Sequence, residues 1–195
     1  MTIKQQLLKT FYPFLMWLTG LKNKQAKIKV NEQMKKPATS LYSLTTLQIN
    51  NTELLLEQLK GKKMLLVNTA SDCGYTNQYK ALEKLHKQFD GKLVVLGFPA
   101  NDFKEQEKDT DENIASFCKV NYGITFPLMK KSHVVKGAEQ NPVFNWLSDA
   151  NKNGWNNQAP VWNFCKYLVN EEGMLTHYFD PSVSPLSQEV LKAIE

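Results

Sequence analysis

Three observations on this chain predict an α/β fold with a central mixed β-sheet flanked by helices. Short apolar runs at 64–68 and 93–98 bracket a segment, 77–89, in which Tyr79, Leu82, Leu85 and Phe89 recur at helical spacing. A strand, helix, strand order of this kind brings two strands parallel through a right-handed crossover. Further on, Phe164 to Val169 and Leu175 to Phe179 flank Asn170-Glu171-Glu172-Gly173, which reads as an antiparallel hairpin, so the sheet is mixed. Finally, 195 residues with 42% hydrophobic content suit one globular domain plus an appendage.

Taken in order, the chain begins with the appendage, residues 1–39. Residues 11–21 are apolar and aromatic but interrupted by Pro13, too short to span a bilayer. Three readings stay open. An apolar segment followed by clustered lysines reads as an interfacial membrane anchor. A cleaved secretory signal has Lys4 and Lys9 in its favour, but lysines stand where a small-residue cleavage site is expected. The third reading is a helix packed on the domain or a loosely ordered tail. A linker around Met34-Lys35-Lys36-Pro37 then leads into a domain over 40–195.

Within that domain, Leu41 to Ile49 reads as a hairpin at a sheet edge and Thr52 to Leu59 as a short helix. After the strand, helix, strand unit, Asp111 to Cys118 forms a helix capped by Thr110 or Asp111, with Ile114, Phe117 and Cys118 inward. Residues 130–160 are a polar surface excursion with one helix at 142–149, and Ser187 to Ile194 closes as a helix. This order is that of a thioredoxin-like fold.

Lysine supplies all the positive charge: the chain has 24 Lys and no Arg, against 19 acidic residues. Residues 1–38 hold eight of those lysines against Glu32 alone, so the rest of the chain is slightly acidic. A basic tail on an acidic body argues against a nucleic-acid-binding core and points to a surface partner for the tail. Cys73, Cys118 and Cys165 show neither CxxC nor metal-ligand spacing, and an odd count offers no complete disulfide framework. A reducing, cytoplasmic compartment fits, with the tail on the inner face of a membrane in the anchor reading.

Cys73 stands at the end of the first apolar strand, in a polar turn close to the following helix start. Unpaired amide groups and the helix dipole favour a thiolate there. A thiol pKa lowered from about 8.5 to about 6 makes the group mostly ionised, a shift worth roughly 3.4 kcal/mol. His86, His133 and His177 read as helix-face, loop and strand residues, not catalytic bases.

Three separated blocks then converge on a family. They are Asn-x-Ala-Ser-x-Cys-Gly-x-Thr at 68–76, Gly-Phe-Pro-x-Asn-x-Phe ending in Gln-Glu at 97–107, and Trp-Asn-Phe at 162–164. The chain from about residue 40 to 195 resembles the glutathione peroxidase family, in its cysteine rather than selenocysteine form. The resemblance implies a catalytic tetrad of Cys73, Gln106, Trp162 and Asn163 and a peroxidase active in the response to oxidative stress. Its neutral amide and indole donors suit a thiolate and the departing oxygen of a peroxide. Cys73 attacks the O–O bond of hydrogen peroxide or an organic or lipid hydroperoxide and becomes a sulfenic acid, which thiols reduce. The chain departs from the family pattern at Ala100, where relatives carry a cysteine, and at Phe103-Lys104-Glu105-Gln106-Glu107-Lys108, which lacks the usual glycine and proline.

Resemblance to thioredoxin-using relatives also implies Cys118 as a resolving cysteine, followed by the matching stretch from Tyr122 to Pro127. Cys165 is the lesser candidate, placed by strand spacing on one face with Asn163. No cofactor or metal is expected; the reducing co-substrate is thioredoxin, glutathione or another thiol, and only lysines such as Lys80, Lys104 or Lys130 are present to attract glutathione carboxylates. The implied partners are peroxides, that thiol reductant and, through residues 1–36, a membrane surface, with no nucleic acid. From a different class comes the alternative of a peroxide-sensing relay passing oxidation to a partner protein.

Overall fold

The computed structural model describes residues 27–195 of the chain. The apolar segment at 11–21, with its anchor, signal and packed-helix readings, lies outside the described residues. A five-stranded sheet forms the centre in the order β1 (Ile28–Val30), β7 (Leu175–Phe179), β6 (Lys166–Val169), β4 (Lys63–Thr69), β5 (Leu93–Pro99). β4 and β5 are parallel, and the remaining pairs are antiparallel, giving the mixed sheet. β2 (Thr45–Leu47) and β3 (Glu53–Leu55) pair as a separate hairpin, and the helices are α1 (Gln78–Gln88), α2 (Asp111–Tyr122), α3 (Pro142–Leu147), α4 (Ala150–Asn153) and α5 (Gln188–Ile194).

Strand alternation divides the core between two faces of the sheet. Leu65 and Val67 of β4 pack with Tyr79, Leu82 and Leu85 of α1, Ile114 and Cys118 of α2, and Val190 and Ile194 of α5. Met64 and Leu66 face the other way, onto Val143, Phe144 and Trp146 of α3 and onto Leu41, Leu54 and Leu56. β4 is buried on both faces because it lies inside the sheet and helices cover both sides.

Two expectations need correction. Residues 28–36 are not tail and linker: Ile28, Lys29 and Val30 pair with Phe179, Tyr178 and His177, making β1 an edge strand of the sheet. The segment after β1 is also fastened, by Asn31 Nδ2 to Leu175 O at 3.2 Å and by Trp146 Nε1 to Thr39 O at 2.7 Å. Gly154, at φ 96°, lets the Lys36 carbonyl approach so closely that a Cβ there would stand 2.5 Å from the oxygen. Residues 52–59 are not a continuous helix either. Pairing of Thr45–Leu47 with Glu53–Leu55 overrides the helical propensity, and only Leu56–Leu59 turns as a 3-10 helix.

Candidate active site

Cys73 lies beyond the C-terminal end of β4, five residues ahead of α1, in a turn of its own. Its N–H donates to Thr76 Oγ1 at 3.0 Å, and that hydroxyl donates to Ala70 O at 2.9 Å, which fixes the turn. The Tyr75 N–H points at the sulfur, 3.5 Å from Sγ. Two of the three other members of the expected tetrad also face the sulfur: the Trp162 and Asn163 side chains act on it directly, each favouring the thiolate. The Trp162 indole nitrogen is buried and makes no hydrogen bond of good geometry, so its N–H is held ready for an incoming acceptor.

Gln106 enters one step removed. Its Oε1 accepts from Asn163 Nδ2 at 3.0 Å, and its backbone oxygen accepts from the Asp72 N–H at 3.0 Å. Gln106 thus orients Asn163 and ties down the turn carrying Cys73, while the indole and the Asn163 carboxamide meet the sulfur.

Burial nevertheless wins at the sulfur. It raises the Cys73 pKa above the ordinary 9.0, against the lowering by the Tyr75 N–H, Trp162 and Asn163, and the Asp72 charge adds to the rise. The direction is opposite to the lowering expected near a helix start. The backbone amide that reaches this sulfur is that of Tyr75, which precedes α1 (Gln78–Gln88).

Asn68 holds the frame and was quoted in the sequence motif without a role. Buried on β4, it donates to Trp162 O at 3.0 Å and accepts from the Cys165 N–H at 3.0 Å, while its backbone oxygen takes the Phe164 N–H at 2.6 Å. Phe164 sits at φ 68°, a left-handed conformation that turns the chain sharply between the donors and β6. The loop before Gln106 carries two more such residues, Lys104 at φ 51° and Glu105 at φ 52°, where a glycine would be unstrained. Phe103 packs against Trp162 with ring centroids 5.6 Å apart, and the Lys104 ammonium stands 5.6 Å from the centre of the Trp162 ring.

Glu107, also unassigned by the sequence, is buried beside the site. Its Oε2 accepts from Ser71 Oγ at 3.0 Å, its Oε1 has no partner, and burial lifts its pKa to about 7.

The other cysteines separate cleanly. All three are free thiols. Cys118, on α2, is fully buried among Tyr79, Ile114 and Phe164, on the same face of the sheet as Cys73, and burial pushes its thiol up to about 11. Cys165 packs into the opposite core, its sulfur 3.3 Å from the Tyr178 hydroxyl. The expectation that it shares a face with Asn163 fails: Cys165 enters one core with Tyr167 and Val169, whereas the Asn163 side chain turns to Cys73, which packs against the other core, and the left-handed Phe164 stands between the two residues. Among the described residues no group of three His, Cys, Asp or Glu could hold a metal ion, and no helix is long and apolar enough to cross a membrane.

A thiol set ahead of a helix on a thioredoxin-like scaffold, faced by an indole and a carboxamide, matches an oxidoreductase of the thiol peroxidase class. A family model described as glutathione peroxidase matches residues 41–148. The chain is 43% identical over 147 residues to glutathione peroxidase homolog BsaA of Staphylococcus epidermidis, covering 75% of this chain and 92% of the relative. It is 42% identical over 155 residues to glutathione peroxidase-like peroxiredoxin 2 of Saccharomyces cerevisiae, covering 78% and 95%. Among solved structures, Trgpx in its apo form superposes with a TM-score of 0.60 at 33% identity over 80% of this chain and 96% of that one. A DsbF homologue from Corynebacterium diphtheriae, 15% identical with a TM-score of 0.61 over 88% and 93%, shares the fold. The chain belongs to the glutathione peroxidase family and is a peroxidase, an oxidoreductase.

Proposed function

We propose that Cys73 is the peroxidatic residue and reduces hydrogen peroxide and organic or lipid hydroperoxides. The observation that carries this reading is the convergence of Trp162 and Asn163 on the Cys73 sulfur. Sulfur attacks one peroxide oxygen, the O–O bond breaks, and the thiol proton ends on the departing oxygen, giving Cys73 sulfenic acid and water or an alcohol. The indole and the Asn163 amide stabilise negative charge as it moves from sulfur to oxygen. Cys118 then condenses with the sulfenic acid, releasing water and forming a disulfide that a thioredoxin-type protein reduces.

Burial of Cys118 means that α2 must open locally before the two sulfurs meet. The same burial favours a second reading, in which resolution is slow and the oxidised Cys73 is passed to glutathione or to a partner protein. Steady-state peroxide consumption separates the readings. Turnover with a thioredoxin system that is lost in Cys118→Ala supports the internal disulfide; turnover with glutathione that survives Cys118→Ala supports a one-cysteine cycle. A relay shows rapid Cys73 oxidation with poor turnover in both.

The lysine-rich tail supports peripheral attachment to an anionic membrane surface on the cytoplasmic side. Co-flotation of the full chain with vesicles containing phosphatidylglycerol tests this, and protein remaining at the bottom of the gradient contradicts it.

A further inference from the structure

We propose that Tyr79, together with Thr69, is a positioning residue for the resolving step: their hydroxyls, buried beneath α2 with no well-formed hydrogen bond, load that helix to open and release Cys118. This rests on the reading of Cys118 as the resolving cysteine and names what drives the opening it needs.

A cysteine that only fills a core sits among apolar atoms. Cys118 shares its core with Ile114 and Phe164, but polar atoms stand there too. Thr69, Tyr79 and Cys118 are all wholly buried. The Tyr79 hydroxyl faces both the Thr69 hydroxyl and the Cys118 thiol, yet neither hydroxyl makes a hydrogen bond of good geometry. Glu107 Oε1 is unpartnered as well, and the charge of that carboxyl reaches both Tyr79 and Cys118. Three buried oxygens, from β4, α1 and the loop before α2, therefore gather near one thiol with their hydrogen bonds unmade. Each forgoes water in the closed fold and regains it when α2 lifts, so the closed state carries a cost that opening removes.

The element that covers them is lightly held. α2 buries only Ile114 and Cys118 of its 12 residues, whereas the 11-residue α1 buries Tyr79, Leu82, Glu83 and Leu85. On the outer side of α2, Val120 is 80% exposed. Tyr79 is the α1 side chain that meets α2: its ring centroid lies 5.3 Å from that of Tyr122 and 5.4 Å from that of Phe164. Both ends of α2 are tied. Asp111 Oδ1 accepts from the Lys131 N–H at 2.9 Å. Beyond the helix, which ends at Gly123 with φ 63°, Glu83 accepts from the Thr125 N–H at 2.8 Å and from the Thr125 hydroxyl at 2.6 Å. Opening is thus confined to the turns between these ties, the ones that carry Cys118 and cover Tyr79.

The test reads the open population through Cys118 itself. In full-length Cys73→Ser, iodoacetamide labels Cys118 only when α2 is open, and with reclosing faster than labelling the rate follows the open fraction. Tyr79→Phe and Thr69→Val each remove an unpaired hydroxyl at nearly constant shape. Added to Cys73→Ser, each is expected to slow the labelling about fivefold or more and to raise the urea midpoint. In the chain that keeps Cys73, Tyr79→Phe is expected to leave Cys73 oxidation by hydrogen peroxide unchanged and to slow disulfide formation by the same factor as the labelling. A hydroxyl engaged in an ordinary structural bond gives the reverse, a lower midpoint and faster labelling. Either of those results in Tyr79→Phe, or labelling at the parent rate, overturns the proposal. A parent chain that forms no disulfide overturns the resolving role of Cys118 and the proposal with it, whereas a disulfide formed at the parent rate in Tyr79→Phe overturns the role of Tyr79 alone.

Discussion

Asn163 Nδ2 donates to Gln106 Oε1 at 3.0 Å, and this contact divides the tetrad into residues that face sulfur and one that aims them. Asn163→Ala removes a donor from the reacting centre and is expected to slow Cys73 oxidation about 100-fold, with Trp162→Phe similar. Gln106→Ala is expected to cost less, and Gln106→Ala combined with Asn163→Ala no more than Asn163→Ala alone, because the two act as a unit. Stopped-flow rate constants with hydrogen peroxide check this; additive losses contradict it.

The proton on Cys73 has a kinetic signature. Since burial raises its pKa, the rate of Cys73 alkylation by iodoacetamide, followed in Cys118→Ala, is expected to keep climbing through pH 9.0. Trp162→Phe and Asn163→Ala remove groups that lower the pKa and shift the profile further up. A plateau already reached near neutrality contradicts the account.

Lys104 holds a left-handed backbone at φ 51° and places its ammonium over Trp162. Lys104→Gly is expected to stabilise the fold by up to about 1 kcal/mol by relieving that conformation. Urea denaturation measures the change, and a loss of stability shows that the ammonium–indole contact outweighs the strain.

Lys166 lies buried under the site end, donating to Gln78 Oε1 at 2.9 Å and Val183 O at 2.7 Å, and burial lowers its pKa to about 7. The unfolded chain, with an ordinary value of 10.5, binds the Lys166 proton more tightly than the fold does above pH 7. The Lys166 contribution to stability therefore rises with pH, fully penalising the fold below pH 7 and easing between pH 7 and 8.5. That slope amounts to on the order of 1 to 2 kcal/mol over the interval. Comparing urea midpoints of the parent and Lys166→Met across it should show the slope only in the parent.

Much of the fold could be read from residues whose pattern is decided locally. The runs at 64–68 and 93–98 became β4 and β5, and Leu175–Phe179 returned as β7, because apolar strands buried on a sheet leave a continuous signal. Ile28–Val30 gave no such signal: three residues among lysines become a strand only through β7, and lysine is common on edge strands. At the site, Cys73, Trp162 and Asn163 were legible from the motif blocks. The division of labour with Gln106, the bracing by Asn68 and the cost of burying the sulfur were not, since each depends on contacts between distant segments. Cys165 packs in the core opposite Cys73, and the left-handed Phe164 that separates it from Asn163 is not announced by Trp-Asn-Phe.

The most direct test of a Cys73-centred peroxidase is the mass of the reduced chain after one equivalent of hydrogen peroxide, in the parent, Cys118→Ala and Cys165→Ala. The account predicts loss of two hydrogens in the parent and in Cys165→Ala, and one added oxygen on Cys73 in Cys118→Ala. Oxygen accumulating elsewhere, or a Cys73 left unmodified in Cys118→Ala, would contradict it.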